Sequence, residues 1–295
     1  MIQRTPFADA FTYVLMVLGF LLLIGPFIVI LAGASQTLQQ VNSVPFQFVP
    51  QDRLLENAAA AWSRASLATA LTNSLIMASL VTFGKVVLSA CTAFAIVFFR
   101  TPLKHFFFWM VFITLMLPLE VRVVPTYAVA ADLFHPFRLL IAALTGIEVS
   151  VEWNLLNSYA GLSLPLIATA TGTFLYRQFF MTLPDELAEA ARMDGSGPVR
   201  FFFDMLLPLS RTNMLALTTI MFVYGWNQYL WPLLMITDPS YKTTMMSLVA
   251  LLPSENGTPD WNVTLAGSLI IMAPPLIVVA VLQRWFIRGL VATEK

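Results

Sequence analysis

The sequence contains few side chains that could carry out chemistry. Its 295 residues include one cysteine, Cys91, and two histidines, His105 and His135. This inventory excludes a disulfide framework and a zinc centre built from cysteine and histidine. Gly84-Lys85 lacks the upstream glycine and the following hydroxyl of a phosphate-binding loop, so the chain does not bind ATP in that way. We therefore predict that the chain is not an enzyme.

The composition indicates that lipid is the solvent for much of the chain. Apolar residues make up 58% of the sequence and charged residues 11%, against roughly 45–50% and about 25% in an average soluble protein. So few charges do not suffice to cover a globular surface of this size. The basic and acidic residues cancel to a net charge of +0, which removes the electrostatic argument for nucleic-acid binding.

Three charged side chains fall inside or near the ends of apolar segments. Lys85 lies in the middle of one, where a charge is costly. It either lines a substrate path or faces the bundle interior, paired with a backbone carbonyl or with a carboxylate of a partner subunit. Glu120 and Arg122 lie near the end of another segment and form either an interfacial pair or part of the same path.

A short mixed run in a later apolar segment is also a candidate for the substrate path. Asn227 and Gln228 stand between Trp226 and Tyr229. Flat apolar faces beside amide donors and acceptors are typical of a site for a polyol. The alternative is that the amides join neighbouring helices, as most polar side chains in membrane helices do.

The charge-free intervals predict how often the chain crosses the membrane. A bilayer core about 30 Å thick requires roughly 20 apolar helical residues. We expect an all-α polytopic membrane protein that forms a single domain over 1–295. Its six predicted spans lie at 11–34, 68–99, 106–127, 155–180, 212–236 and 263–283.

The distribution of basic residues predicts the orientation. An even number of spans places both termini on one side, and cytoplasmic loops are the richer in lysine and arginine. With the termini inside, the inner segments carry Arg4, Arg100, Lys104, Arg177, Arg192, Arg200, Arg211, Arg284, Arg288 and Lys295. The outer loops carry only Arg53, Arg64, Arg122, Arg138 and Lys242. We therefore expect both termini in the cytoplasm.

The longest polar segment on the predicted inner side is 182–211, between the fourth and fifth spans. Thr182, followed by a proline and two acids, is typical of a helix start. Gly195 is typical of a helix end in the left-handed conformation. We expect Pro208 to end a second helix that starts at 196–198. The segment thus predicts a rigid helix–turn–helix, with an ordinary amphipathic surface loop as the alternative.

This polar segment also carries a recognisable motif. It reads Glu-Ala-Ala at 189–191, then three residues and Gly195, then nine residues and Met-Leu-Leu-Pro at 205–208. It resembles the signature loop of the membrane subunits of bacterial ABC importers, with Met205 in place of isoleucine. The resemblance implies that the residues that couple to an ATPase are Glu189, Ala190, Ala191, Asp194, Gly195, Leu207 and Pro208.

Other segments extend the resemblance to nearly the whole chain. Residues 226–233 look like the carbohydrate-type importer permeases related to the maltose system. Residues 106–125, 177–186 and 288–290 are similar to permeases of sn-glycerol-3-phosphate importers. The stretch around 134–153 departs from them and looks like an insertion.

The resemblance implies a type I ABC importer permease fold and a role in ATP-driven import. The substrate it implies is sn-glycerol-3-phosphate or a glycerophosphodiester, with another sugar or polyol as the alternative. The implied partners are a second permease, an ATPase dimer, a periplasmic or extracellular substrate-binding protein and the lipid of the bacterial inner membrane. ATP and magnesium are expected on the ATPase, and no cofactor is expected on this chain.

A transporter driven by an ion gradient is the alternative class. Such transporters often contain internal repeats and intramembrane carboxylates. The sequence shows no obvious repeat, and Glu120 is the one acid near the interior of a predicted span. These features favour the importer permease.

Labelling with an impermeant maleimide tests the predicted orientation. Single cysteines replace Ser196 and Glu255 in a Cys91→Ala background. We expect the cysteine at 255 to react in intact cells and the cysteine at 196 to react only after the membrane is opened. Reaction at 196 alone in intact cells would invert the topology.

Overall fold

The structure, a computed structural model, describes residues 6–99, 102–114, 118–132, 134–147, 153–252 and 259–291. Regular secondary structure in these ranges is entirely helical, in agreement with the expected all-α class. The α-helices are α1 (Pro6–Ala34), α2 (Leu38–Val41), α3 (Leu54–Arg64), α4 (Leu67–Phe98), α5 (Lys104–Ile113), α6 (Leu119–Ala131), α7 (His135–Thr145), α8 (Tyr159–Ile167), α9 (Ala170–Phe180), α10 (Asp185–Met193), α11 (Pro198–Phe201), α12 (Leu207–Leu209), α13 (Arg211–Trp226), α14 (Leu230–Met235), α15 (Thr244–Val249) and α16 (Trp261–Val291). A π-helical turn occupies Phe202–Leu206, and a 3₁₀ turn occupies Pro239–Tyr241.

Three of the described helices are long and apolar enough to cross a membrane alone. They are α1, α4 and α16, and they match the first, second and sixth predicted spans. Residues 9–23 of α1 are exposed, as expected for a helix surrounded by lipid, whereas Ala32 and Ala34 at its carboxyl end are buried.

The other three predicted spans are divided. The third consists of α5 and α6 with 115–117, outside the described residues, between them. The fourth breaks between α8 and α9, where Ala168 and Thr169 have extended backbone angles. The fifth breaks after α13, and α14 begins so that Pro232 lies in its first turn, where its missing N–H costs no hydrogen bond. The count of six spans remains a prediction.

The apolar run at 139–144, too short to span a membrane, lies in α7. This helix ends at Gly146, whose φ of 70° is in the left-handed region that favours glycine. The predicted insertion around 134–153 includes 148–152, which lie outside the described residues.

The residues group into two compact units. The first contains Met1–Ala68 and Ser247–Ala273. In it the side-chain amide nitrogen of Asn57 donates to the carbonyls of Ala34 and Gln36, each at 2.8 Å. The Ala34 carbonyl lies at the end of α1, where no helical partner is available. The Asn57 side chain therefore supplies a hydrogen bond to a backbone carbonyl at the carboxyl end of α1.

The second unit contains Thr69–Met246 and Pro274–Lys295. One of its apolar clusters surrounds Trp231 and Leu162, and another contains phenylalanines near the end of α4. Asn73 donates to the carbonyls of Ser240 and Lys242 at 2.8 and 2.9 Å. These bonds fix the segment after α14 to α4. The prediction of a single domain remains a prediction.

Candidate functional site

The first helix of the candidate coupling loop, residues 182–211, is α10. It begins after Pro184, and two acids occupy its first turn, next to the positive end of the helix dipole. Thr182 does not cap the helix as expected, because its hydroxyl donates to the carbonyl of Phe179 at 2.7 Å. The residue before a proline disfavours the helical conformation, so the helix starts after Pro184 rather than beside Thr182.

The corner after α10 has the hydrogen bonds of a Schellman motif. The Ser196 amide donates to the Ala191 carbonyl at 2.8 Å, and the Gly195 amide donates to the Arg192 carbonyl at 3.0 Å. Gly195 has a φ of 71°, as the sequence predicted. The two bonds close the carboxyl end of the helix and fix the direction in which the chain leaves it.

The second half of the loop differs from the expected helix. It starts at Pro198 and widens into the π-helical turn Phe202–Leu206. Pro208 was expected to end this helix, but it lies inside α12, and the chain turns at Ser210 by 76° into α13. Wider π-helical winding relieves the clash that a proline ring makes with the carbonyl four residues earlier.

Aromatic packing holds the loop against its own membrane helices. Phe201 and Phe202 are buried. The ring centroid of Phe202 lies 4.9 Å from that of Phe94, and the centroid of Phe201 lies 5.3 Å from that of Phe98. Phe203 is exposed instead. Two of the three phenylalanines thus anchor the loop to the end of α4.

The motif residues divide between an outer and an inner side. Ala191 is buried in the phenylalanine cluster, and Ala190 and Leu207 are partly buried. The outer residues are Glu189, Asp194, Gly195 and Pro208. The charged and turn-forming positions of the motif are therefore accessible, whereas its second alanine, Ala191, packs inward.

The candidate substrate path centres on Lys85, which is only 4% exposed. Its ammonium lies 4.5 Å from the centroid of the Tyr224 ring, over the ring face. Arg122 is partly buried. The side chain of Glu120 lies outside the described residues.

The run at 226–229 does not converge on one point. Trp226 is buried and stacks on Phe222 at 5.9 Å between ring centroids. Asn227 is exposed, and Tyr229 packs against the cluster around Trp231. Gln228 donates its side-chain N–H to the Tyr224 carbonyl at 3.2 Å. Within this run, Gln228 is hydrogen-bonded to Tyr224, whose ring lies under the ammonium of Lys85.

Sequence reasoning missed Tyr224. Its position four residues before Gln228 places the two on one face of a helix, but nothing in the sequence reveals which side chain of α4 faces them. The contact depends on the packing of α4 against α13, where a Cβ added to Gly225 would lie 3.1 Å from the Ala78 backbone.

Comparison with known proteins identifies the family to which the chain belongs. The family described as the binding-protein-dependent transport system inner membrane component matches residues 85–291. The chain belongs to this family. It is therefore a permease, a multi-pass component of an inner membrane, as the coupling-loop motif indicated.

Individual relatives match this permease over its full length. It is 46% identical to the sn-glycerol-3-phosphate transport system permease protein UgpE of Escherichia coli O1:K1 / APEC, and 45% identical to that of strain K12. The protein of the same name from Pectobacterium atrosepticum is 44% identical. Each alignment covers 100% of both chains.

A solved structure supports the fold. The permease resembles a chain of a bacterial ABC transporter involved in the import of the acidic polysaccharide alginate, with a TM-score of 0.73 and 18% identity. The match covers 97% of this chain and 99% of the other. The expected importer permease fold is therefore confirmed.

Substitution of Gly195 tests whether the corner of the loop is required. Because a Cβ at 195 would meet no atom of this chain within 4 Å, Gly195→Val acts on the permease itself through backbone strain. A left-handed backbone costs a residue with a Cβ about 1–2 kcal/mol. We expect Gly195→Val to abolish uptake in cells, with less ATPase copurifying, while the permease still inserts.

Gly197→Ala is the matched control, because Gly197 also has open space but a φ of −73°. It should transport normally. Gly195→Asn should retain more activity than the valine variant, since asparagine tolerates the left-handed region. Wild-type transport by Gly195→Val with its ATPase bound would show that the corner is not required.

Proposed function

We propose that this permease is a translocation subunit of an ATP-driven importer that carries sn-glycerol-3-phosphate, or its diesters, into the cytoplasm. The observation that carries the proposal is 44–46% identity, from end to end, with permease proteins of sn-glycerol-3-phosphate transport systems. End-to-end similarity includes both the coupling loop and the membrane helices.

The partners in this proposal are a second permease, a pair of ATPase subunits and an external substrate-binding protein. ATP and magnesium bind to the ATPase subunits, and this chain binds no cofactor. The coupling residues contact the ATPase from the exposed side of the loop, where Glu189 and Asp194 lie. Both termini lie in the cytoplasm, which the excess of basic residues in the inner segments supports.

Transport in this proposal follows alternating access. Closure of the ATPase pair on ATP pushes the exposed side of α10. The hydrogen bonds of the Schellman corner keep the two halves of the loop from moving independently. The push therefore reaches Phe201 and Phe202. These rings press on the end of α4, which reorients with its neighbours and changes the side on which the path is open.

The charge of the substrate explains why the path contains cations. A phosphate group carries about one to two negative charges at neutral pH, and exposing it to the bilayer core without partners is prohibitive. Lys85, Arg122 and Gln228 supply a part of what it needs. Trp226, Asn227, Tyr229 and Glu120 remain candidates for contacts with the glycerol, and the second permease supplies the rest.

Uptake by the complete importer in proteoliposomes tests the proposal. We expect accumulation of labelled sn-glycerol-3-phosphate that requires hydrolysable ATP and the binding protein. Collapse of ion gradients by ionophores should not reduce it. Accumulation driven by an ion gradient without ATP would contradict the importer mechanism. ATP-driven accumulation of a neutral sugar, with none of the phosphate, would contradict the substrate.

A further inference from the structure

We propose that the first turn of α9, together with the hydroxyl of Ser89 on α4, binds the phosphate group of the transported molecule. This inference rests on the proposed function, because it requires an anionic substrate. It deepens that function by identifying an anion site at the break in the fourth predicted span.

The break between α8 and α9 lies at the middle of the predicted span 155–180. Ala168 and Thr169 both have a ψ of 125° there, which is extended rather than helical. At membrane depth, irregular backbone is tolerated only where it is buried in protein or lines a water-filled cavity. On this chain Ala168 is exposed and Thr169 is partly exposed. The chain itself therefore does not bury the break, whereas a position along a water-filled path meets the requirement.

The amino end of α9 starts at this break without a cap. Thr169, the N-cap residue, makes no side-chain cap hydrogen bond. The first amides of a helix have no partner within the helix, and no described residue outside α9 accepts a hydrogen bond from the amides of 170–172. These N–H donors and the positive end of the dipole of this 11-residue helix are suited to an anion.

A buried hydroxyl of α4 points at the same turn. Ser89 is 1% exposed, and its Oγ has no hydrogen-bond partner among the described residues. A Cβ added to Gly172 would lie 2.3 Å from the Oγ of Ser89 and 2.9 Å from its Cβ, so the hydroxyl is the part of this side chain nearest α9. Buried polar groups in native proteins are nearly always paired. The unpaired hydroxyl therefore marks a place where a ligand supplies the missing partner.

The position of Ser89 connects this turn with the candidate substrate path. Ser89 lies four residues after Lys85, so the two residues share one face of α4. The ammonium of Lys85 lies over the Tyr224 ring, and the first turn of α9 lies one helical turn further along the same face. A phosphate group has several acceptor oxygens, which accept hydrogen bonds from backbone amides and a hydroxyl at the same time.

Removal of the Ser89 hydroxyl is the first test, because it separates ligand binding from packing. Since this hydroxyl has no partner to lose among the described residues, Ser89→Ala should leave the unfolding midpoint of the substrate-free importer unchanged or raise it. We expect uptake of sn-glycerol-3-phosphate in proteoliposomes to fall roughly tenfold to a hundredfold, as for a lost hydrogen bond to a charged group. A hydroxyl that supports packing would instead lower the midpoint when it is removed.

Stabilisation by the substrate provides the second measurement. A ligand that binds the folded state raises its unfolding midpoint. In the purified complex of permeases and ATPases, without the binding protein, millimolar sn-glycerol-3-phosphate should raise the midpoint of the wild type and not that of Ser89→Ala.

Thr82→Val is the matched control for the hydroxyl. Thr82 carries another buried hydroxyl of α4, but this one donates to the carbonyl of Ala78 at 2.6 Å within its own helix. The control should keep wild-type uptake and the midpoint increase with sn-glycerol-3-phosphate.

Proline at position 170 tests the amides of the turn. Ala170 is the first residue of α9, where proline is tolerated because its missing N–H has no helical partner. Thr169 has a φ of −148° and a ψ of 125°, the extended conformation that suits a residue before proline. Ala170→Pro removes one donor of the site, so uptake should fall as in Ser89→Ala. Ala170→Gly, which keeps the amide, should retain most of the uptake.

Two results would overturn the site. One is wild-type uptake and wild-type stabilisation by sn-glycerol-3-phosphate in Ser89→Ala, and the other is a lower substrate-free midpoint in that variant. If Ala170→Pro does not assemble, Ser89→Ala decides alone. Either result leaves the proposed function standing, whereas a wild-type importer that never takes up sn-glycerol-3-phosphate overturns that function itself.

Discussion

The packing of Phe201 and Phe202 on the end of α4 is the interaction on which the proposed transport mechanism depends. The charged and turn-forming positions of the coupling loop face outward, where Glu189 and Gly195 are exposed. In the proposed mechanism, a force applied there reaches the membrane helices through the buried face of the loop. Each buried phenylalanine contributes roughly 1.5–3 kcal/mol of stabilisation. The contact therefore stabilises the position of the loop on α4.

The helix that receives this contact also carries the buried cation. Phe94 and Lys85 lie nine positions apart on α4, about 14 Å along the helix axis. No proline interrupts this 32-residue helix, whereas the third, fourth and fifth predicted spans are divided. An unbroken helix moves as one body, so displacement at the loop also displaces Lys85. In this account a single element links the site of coupling to the path of the substrate.

Several features of the fold and the loop were predictable because they depend on neighbouring residues. The left-handed corner at Gly195 and the bounds of α10 follow from local backbone preferences. The long helices α1, α4 and α16 follow from continuous apolar runs. Local rules also failed in two places. Thr182 bonds backward to the preceding helix, and Pro208 is accommodated by a π-helical turn that no local pattern indicates.

Other features could not be predicted because they depend on packing between distant segments. The break between α8 and α9 occurs at Ala168 and Thr169, where neither glycine nor proline marks a helix end. The ring of Tyr224 lies under Lys85 because of the way α13 packs on α4. The sequence identified Lys85 as a buried cation but could not show which ring its ammonium contacts.

The number of ATP molecules hydrolysed per substrate molecule transported is the most direct measure of whether the phenylalanine contact transmits force. The Phe202→Ala variant removes a buried anchor, and Phe203→Ala removes an exposed ring of the same loop as a control. The account predicts that Phe202→Ala still hydrolyses ATP but uses severalfold more of it per transported substrate, while Phe203→Ala keeps the wild-type ratio. An unchanged ratio in an assembled Phe202→Ala importer would contradict it.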